Sequence, residues 1–145
     1  MKLAELDEGL TPVPIDAAEK ALEGVHETAV LPAQDQVAET ACLLVASQKE
    51  LLVACRADGE RPNDPPTVSV ETVDWHAVGI GPFGLAGRVA GGLLGGAEAT
   101  DHLLMVVAGD RLFEGRLPGS WGPEATESFA KAARLAGARD FDPDP

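Results

Sequence analysis

Residues 41–56 constrain the fold more than any other stretch of the chain. Two aliphatic runs, Ala41-Cys42-Leu43-Leu44-Val45-Ala46 and Leu51-Leu52-Val53-Ala54-Cys55, flank the polar Ser47-Gln48-Lys49-Glu50. Two β-prone runs around a short polar break predict an antiparallel hairpin. The symmetric register pairs Ala46 with Leu51, Leu44 with Val53 and Cys42 with Cys55, whether the turn spans two residues or four. The two cysteines then face each other with Cβ atoms about 4.5–5.5 Å apart. A disulfide prefers about 3.8 Å. A chain with two cysteines and no scaffold of further ones fits a reducing compartment. The expectation is two free, buried thiols; a redox latch is the functional alternative.

Gly and Pro make up 27 of 145 residues, about 19% against roughly 12% in average usage, which favours many turns and short strands. Thr11-Pro12-Val13-Pro14 reads as an extended arm. Asp16 can cap a helix running to about His26, with Leu22 and Val25 on its apolar side. A connector carrying Pro32 is expected over 28–37. The stretch 57–66, with three prolines, a glycine and four charges, reads as a long exposed loop. Val68, Val70 and Thr72 then alternate with Ser69 and Glu71, as in a half-buried strand. Residues 102–108 form an apolar strand, Gly109-Asp110 a turn, and 111–117 the return strand. Gly122 and Pro123 suit Ncap and N1 of a closing helix to Ala136, with Phe129, Ala132, Ala133 and Ala136 on its inner face and Gly137 as its stop. Residues 140–145 look like a frayed end. The resulting division is an arm and helix over 1–37, a β domain with its helix over 38–137, and an acidic tail over 138–145.

Charge limits the partners. The net charge is −13, the wrong sign for a nucleic-acid groove or for docking on anionic lipid. No apolar stretch approaches the roughly 20 residues of a membrane helix. The first residues carry acids and no apolar h-region, so no signal peptide is read and a cytoplasmic protein is expected. Residues 1–40 hold nine acids and two bases. That concentration reads as a solvated face, or as a surface for a basic partner.

Chemical motifs are sparse. Gly79-Ile80-Gly81-Pro82-Phe83-Gly84 is a literal G-x-G-x-x-G, but a dinucleotide site needs that loop to open a helix. Five glycines in 85–96 would each cost such a helix roughly 1 kcal/mol. The glycines read instead as bends and close approaches in antiparallel strands, and NAD or ATP binding is not expected. Asp74-Trp75-His76 is the one place where an acid, an aromatic and an imidazole meet. Residues so close in sequence do not generally face one another, so Trp75 is expected to plug the core with His76 near the surface. Asp74, Trp75, His76 and Arg88 are the candidate ligand or partner contacts; no catalytic, metal-binding or cofactor-binding residues are assigned. No serine sits in G-x-S-x-G, and the cysteines lack an evident activating neighbour.

The assembled pieces resemble bacterial pleckstrin-homology-like domains. Ala41–Arg56 resembles their first hairpin, the segment from Val68 through Trp75 to Val78 their strand leading into a Trp-containing turn, and 102–117 with Pro123–Ala136 their closing strands and capping helix. The likeness covers roughly residues 38–137. It implies an α+β fold: a bent antiparallel sheet or partial barrel with a C-terminal capping helix, here with an N-terminal helix added. It also implies a noncatalytic binding or assembly module for a protein or peptide, without a cofactor and without catalytic residues to carry over. The basic lipid-head-group pocket of eukaryotic relatives has no counterpart, since the first turn supplies only Lys49. An exposed edge strand would favour the module and could pair copies of the chain. A deep pocket around residues 74–88 would favour a small-ligand enzyme, and a clustered acidic face a polyanion-mimicking inhibitor.

Overall fold

The computed structural model describes residues 11–82, 102–117 and 122–140. Among these residues the architecture is α+β: one curled, mixed sheet of eight strands forming a half-barrel, with two helices. Helix α1 (Ile15–Ala21) precedes β1 (Glu27–Asp35), β2 (Thr40–Ser47), β3 (Glu50–Ala57) and β4 (Thr67–Asp74). A single 3₁₀ turn at Trp75–Ala77 leads into β5 (Val78–Pro82). After it come β6 (His102–Ala108), β7 (Arg111–Leu117), α2 (Gly122–Ala136) and a two-residue β8 (Arg139–Asp140). The strand order is β4-β3-β2-β1-β7-β6-β5-β8.

The first hairpin has the register expected of it. Ala46 pairs with Leu51, Leu44 with Val53 and Cys42 with Cys55. Gln48 and Lys49 make the turn between the strands, and the Ser47 hydroxyl closes it. It donates to the Glu50 carbonyl at 2.7 Å and accepts from the Glu50 amide at 3.2 Å. The apolar runs here are nearly continuous because both faces of these strands are covered. Ala29, Leu31, Leu44, Ala46, Leu51 and Val53 point inward and pack with Phe113, Trp75 and α2. Val30, Leu43, Val45, Leu52 and Ala54 point outward beneath Val13 of the arm, Ala18 of α1 and Leu22 at the helix's C-cap.

Several expectations are corrected. Residues 28–37 are not a connector: Glu27–Asp35 is β1, paired with β2 along its length and with β7 from Ala33 to Asp35. Pro32 lies just outside the β1–β7 ladder, so it does not interrupt that pairing. Helix α1 ends at Ala21 rather than near His26, and Gly24 adopts a φ of +86° that a helix cannot hold. Pro14, not Asp16, stands at its N-cap. The sheet is mixed rather than antiparallel, because β8 pairs in parallel with β5 through Gly79–Arg139 and Ile80–Asp140. Asp140, expected in a frayed end, is therefore part of the sheet, and it accepts a hydrogen bond from Arg134 Nε at 2.8 Å.

The cysteines are also corrected: Cys42 and Cys55 are joined as a disulfide, not left as free thiols. Their Cα atoms lie 4.1 Å apart, closer than the roughly 4.5 Å of even the tighter class of antiparallel pair. That approach brings the side chains within bonding reach.

The closing helix conforms to expectation. Phe129 is fully buried, with Ala125, Ala130 and Ala133 beside it in the inner core. Gly137, at a φ of +122°, ends α2. The Ala138 amide reaches back to the Ala133 carbonyl at 2.9 Å, the six-to-one bond of a Schellman stop. Strand β4 follows its expected alternation through Val68 and Val70, half-buried against the α1 side, but Thr72, expected on that face, is exposed, and Val73 is half-buried against the inner core instead.

Candidate functional site

The Asp74-Trp75-His76 cluster is built as a joint. Asp74 caps the 3₁₀ turn, its carboxylate accepting the His76 backbone amide at 2.8 Å. Trp75 is buried and its indole donates to the Ser47 carbonyl at 2.8 Å. The strand-to-strand crossover is thereby pinned to the first hairpin. His76 is exposed, and Gly137 sits so close that an added Cβ would lie 3.6 Å from Trp75 Cβ and 3.8 Å from the His76 ring. Asp74 uses its carboxylate on backbone, which is the work of a cap. Arg88 lies outside the described residues, as do 83–101 with most of the glycine-rich stretch. Of the G-x-G-x-x-G motif, Gly79 to Pro82 belong to β5, paired with β6.

A second cluster, scattered in sequence, meets at the inner face of the half-barrel. Arg111 opens β7; its Nε and Nη2 donate to Asp35 Oδ2 at 3.1 and 2.8 Å, and its Nη1 to Glu71 Oε2 at 2.6 Å. The guanidinium stacks over Phe113, 4.9 Å from the ring centroid, and Nη2 reaches Cys55 Sγ at 3.3 Å. One side chain thus ties β7 to β1, β3 and β4. The other oxygen of Asp35 accepts the amides of Val37 and Ala38 at 2.9 and 3.0 Å. That bond pair shapes the β1–β2 turn, in which Glu39 takes a φ of +54°. Burial pushes the Asp35 carboxyl up, but the Ala38 amide, Arg111 and the Val37 amide outweigh it and hold the group below the ordinary carboxylate range. Burial likewise works against the Arg111 charge, and Asp35 and Glu71 reverse that effect, so its pKa is raised.

The third feature is an edge. Strand β4 stands at one end of the sheet order, with β3 as its strand neighbour among the described residues. Its eight residues, Thr-Val-Ser-Val-Glu-Thr-Val-Asp, pair with β3 without a bulge and contain no proline. Exposed edge strands are usually blunted by bulges, prolines, lysines or inward-pointing charges; β4 has no bulge, proline or lysine, and its one inward charge, Glu71, is bound by Arg111. Around it, residues 56–74 carry Asp58, Glu60, Asp64, Glu71 and Asp74 against Arg56 and Arg61. The Arg56 charge is held by Asp58 at 3.0 Å. Elsewhere, a cleft of about 520 Å³ lies between α2 and the β2–β3 turn, bordered by Thr28, Ser47, Gln48, Lys131 and Leu135.

Sequence reasoning singled out the joint and missed the arginine cluster. Arg111 and its three polar partners, Asp35, Cys55 and Glu71, sit on four strands, and only the strand order brings them together. A partial signal was present in Arg111, a cation placed directly after the Gly109-Asp110 turn where the return strand begins. Among the described residues no group of histidines, cysteines and carboxylates could hold a metal ion, and no helix is long and apolar enough to cross a membrane. No family model, curated protein or solved structure matches the chain.

Proposed function

We propose that the chain is a noncatalytic binding module on a pleckstrin-homology-like scaffold, and that it takes an extended, basic segment of a protein partner as an added strand on β4. The observation that carries this reading is the eight-residue edge of β4, free of bulge, proline and lysine. An edge of that length offers a row of backbone donors and acceptors to an incoming strand, the basis of β-augmentation. Charge selects the occupant. Pairing with a second copy would bring together two chains of net charge −13, whereas a basic segment meets the exposed Asp74 and the acids of the preceding loop, Asp58, Glu60 and Asp64. The scaffold assignment is supported by the element order: hairpin, strand, Trp-bearing turn, closing hairpin, helix. A cytoplasmic setting belongs to the same reading.

The test is calorimetric titration with a short peptide of alternating lysine and valine, against a control of equal charge interrupted by prolines. The expected result is saturable binding of the first peptide alone. Thr72 is exposed on β4, so Thr72→Lys should leave the fold intact while weakening binding at least about tenfold, or about 1.4 kcal/mol. Equal binding of both peptides would reduce the interaction to charge alone and overturn the proposal. So would a stable dimer that blocks the peptide, since it would place a second copy on the edge.

A further inference from the structure

Arg111 does more than bridge two carboxylates: it places a fixed cation against one sulfur of the disulfide. From this arrangement we infer that Cys42–Cys55 is a thiol–disulfide exchange site, with Cys55 as the sulfur that meets low-molecular-weight thiols and Arg111 as its positioning residue. The inference is independent of the edge-strand reading.

The two sulfurs are not equivalent. Cys42 is fully buried, whereas Cys55 is 8% exposed and lies next to the Arg111 side chain, itself 25% exposed. A disulfide that only staples two strands across an apolar core has no use for a guanidinium. A sulfur that must carry negative charge does, because a neighbouring cation stabilises the thiolate. The cation is held in place by Asp35 from β1, Glu71 from β4 and the Phe113 ring beneath it. Those two carboxylates and Arg111 are the charged groups of this cluster that bear on Cys55. Glu71 is 63% exposed, so one of the two carboxylates competing for the guanidinium charge can be removed without opening the core.

The incoming thiol, as its thiolate, attacks Cys55 Sγ; a new S–S bond forms there as the Cys42–Cys55 bond breaks. Cys42 departs as a thiolate and takes up the proton that the incoming thiol released. A second thiol attacks the outer sulfur of the mixed disulfide, and Cys55 departs as a thiolate beside Arg111. Two thiols are oxidised to one small disulfide and the protein gains two electrons; Cys42 holds one of the two released protons, and the other goes to solvent while Cys55 stays a thiolate beside Arg111. Reversing the steps with a small disulfide as oxidant restores the Cys42–Cys55 bond.

The test uses the full chain with Cys42→Ser, which leaves Cys55 as the sole cysteine, exposed to oxidised glutathione under native conditions. The expected product is one glutathione on Cys55, seen by intact-protein mass. The pH profile of iodoacetamide labelling should give an apparent thiol pKa at least about one unit below the ordinary value of about 8.5. Adding Glu71→Gln should lower it further, and adding Arg111→Gln should return it to the ordinary range. If the Arg111 variant does not fold, the response to Glu71→Gln decides. No adduct before unfolding, or an apparent pKa at or above the ordinary value and unmoved by Glu71→Gln, would overturn the inference and leave the bond a staple.

Discussion

Phe129→Ala is expected to lower the unfolding free energy by about 3–5 kcal/mol. Phe129 is fully buried, and its buried neighbours on the same helix are Ala125, Ala130 and Ala133. Alanines cannot extend into a vacated volume, and the facing Leu31, Leu44 and Phe113 are fixed in their own strand packing. The cavity would therefore stay open, which puts the cost near the top of the range for such truncations. Against a total stability of about 5–15 kcal/mol, the loss approaches unfolding. Leu135→Ala provides the contrast: that side chain is 80% exposed and its loss should change stability by no more than about 0.5 kcal/mol. Urea unfolding measures both. A Phe129→Ala midpoint within error of the parent protein would mean that α2 does not close the core.

Asp35→Ala is expected to cost about 2–4 kcal/mol, between the value of a surface ion pair and that of a fully buried one. The substitution removes the carboxylate facing two of Arg111's nitrogens and, at the same stroke, the acceptor for the Val37 and Ala38 amides. Arg111 keeps Glu71 and some solvent, which is why the loss falls short of an isolated buried charge. The same residue gives a pH signature. Its carboxyl is held below its ordinary value of 3.8, so as the pH falls the unfolded chain takes up the proton first. The stabilisation it contributes is complete above that ordinary value and is lost as pH falls through the lower, folded value. Stability curves from pH 7 downward should therefore drop more shallowly in Asp35→Asn than in the parent across the acid limb. Parallel acid limbs would show that Asp35 does not hold its proton-free form through the fold.

The parts of the fold that were legible in the sequence are those whose signal is local. The hairpin register follows from two apolar runs about a short break, and the closing helix from a helical spacing of Phe129 and alanines ended by Gly137. Strand β1 was hidden because Pro32 reads as a breaker. Its neighbours across the β1–β7 ladder lie some 80 positions further along the chain, as Ala33 pairs with Gly115. Strand β8 was hidden for a different reason: two residues carry no periodicity, and their placement depends on how the turn at Gly137 returns the chain toward β5. The disulfide turned on a separation that pairing rules give only as a range, and the strands sit on the near side of it. At the candidate sites the balance is the same. Asp74, Trp75 and His76 were visible as a cluster of types, yet geometry makes them a cap, a plug and a surface group. Asp35, Glu71 and Arg111, each ordinary among 24 acids and 11 bases, acquire their meaning only from the sheet order.

The central claim, that β4 offers a free edge, is tested most directly by amide hydrogen exchange of the isolated protein. An antiparallel strand with one neighbour bonds alternate amides and leaves the others to solvent. The account predicts that, between Thr67 and Asp74, amides alternate between protected and rapidly exchanging, and that the fast set slows when the lysine–valine peptide is added. Uniform protection along β4 in the free protein would contradict it, because the edge would then already be covered by the chain itself.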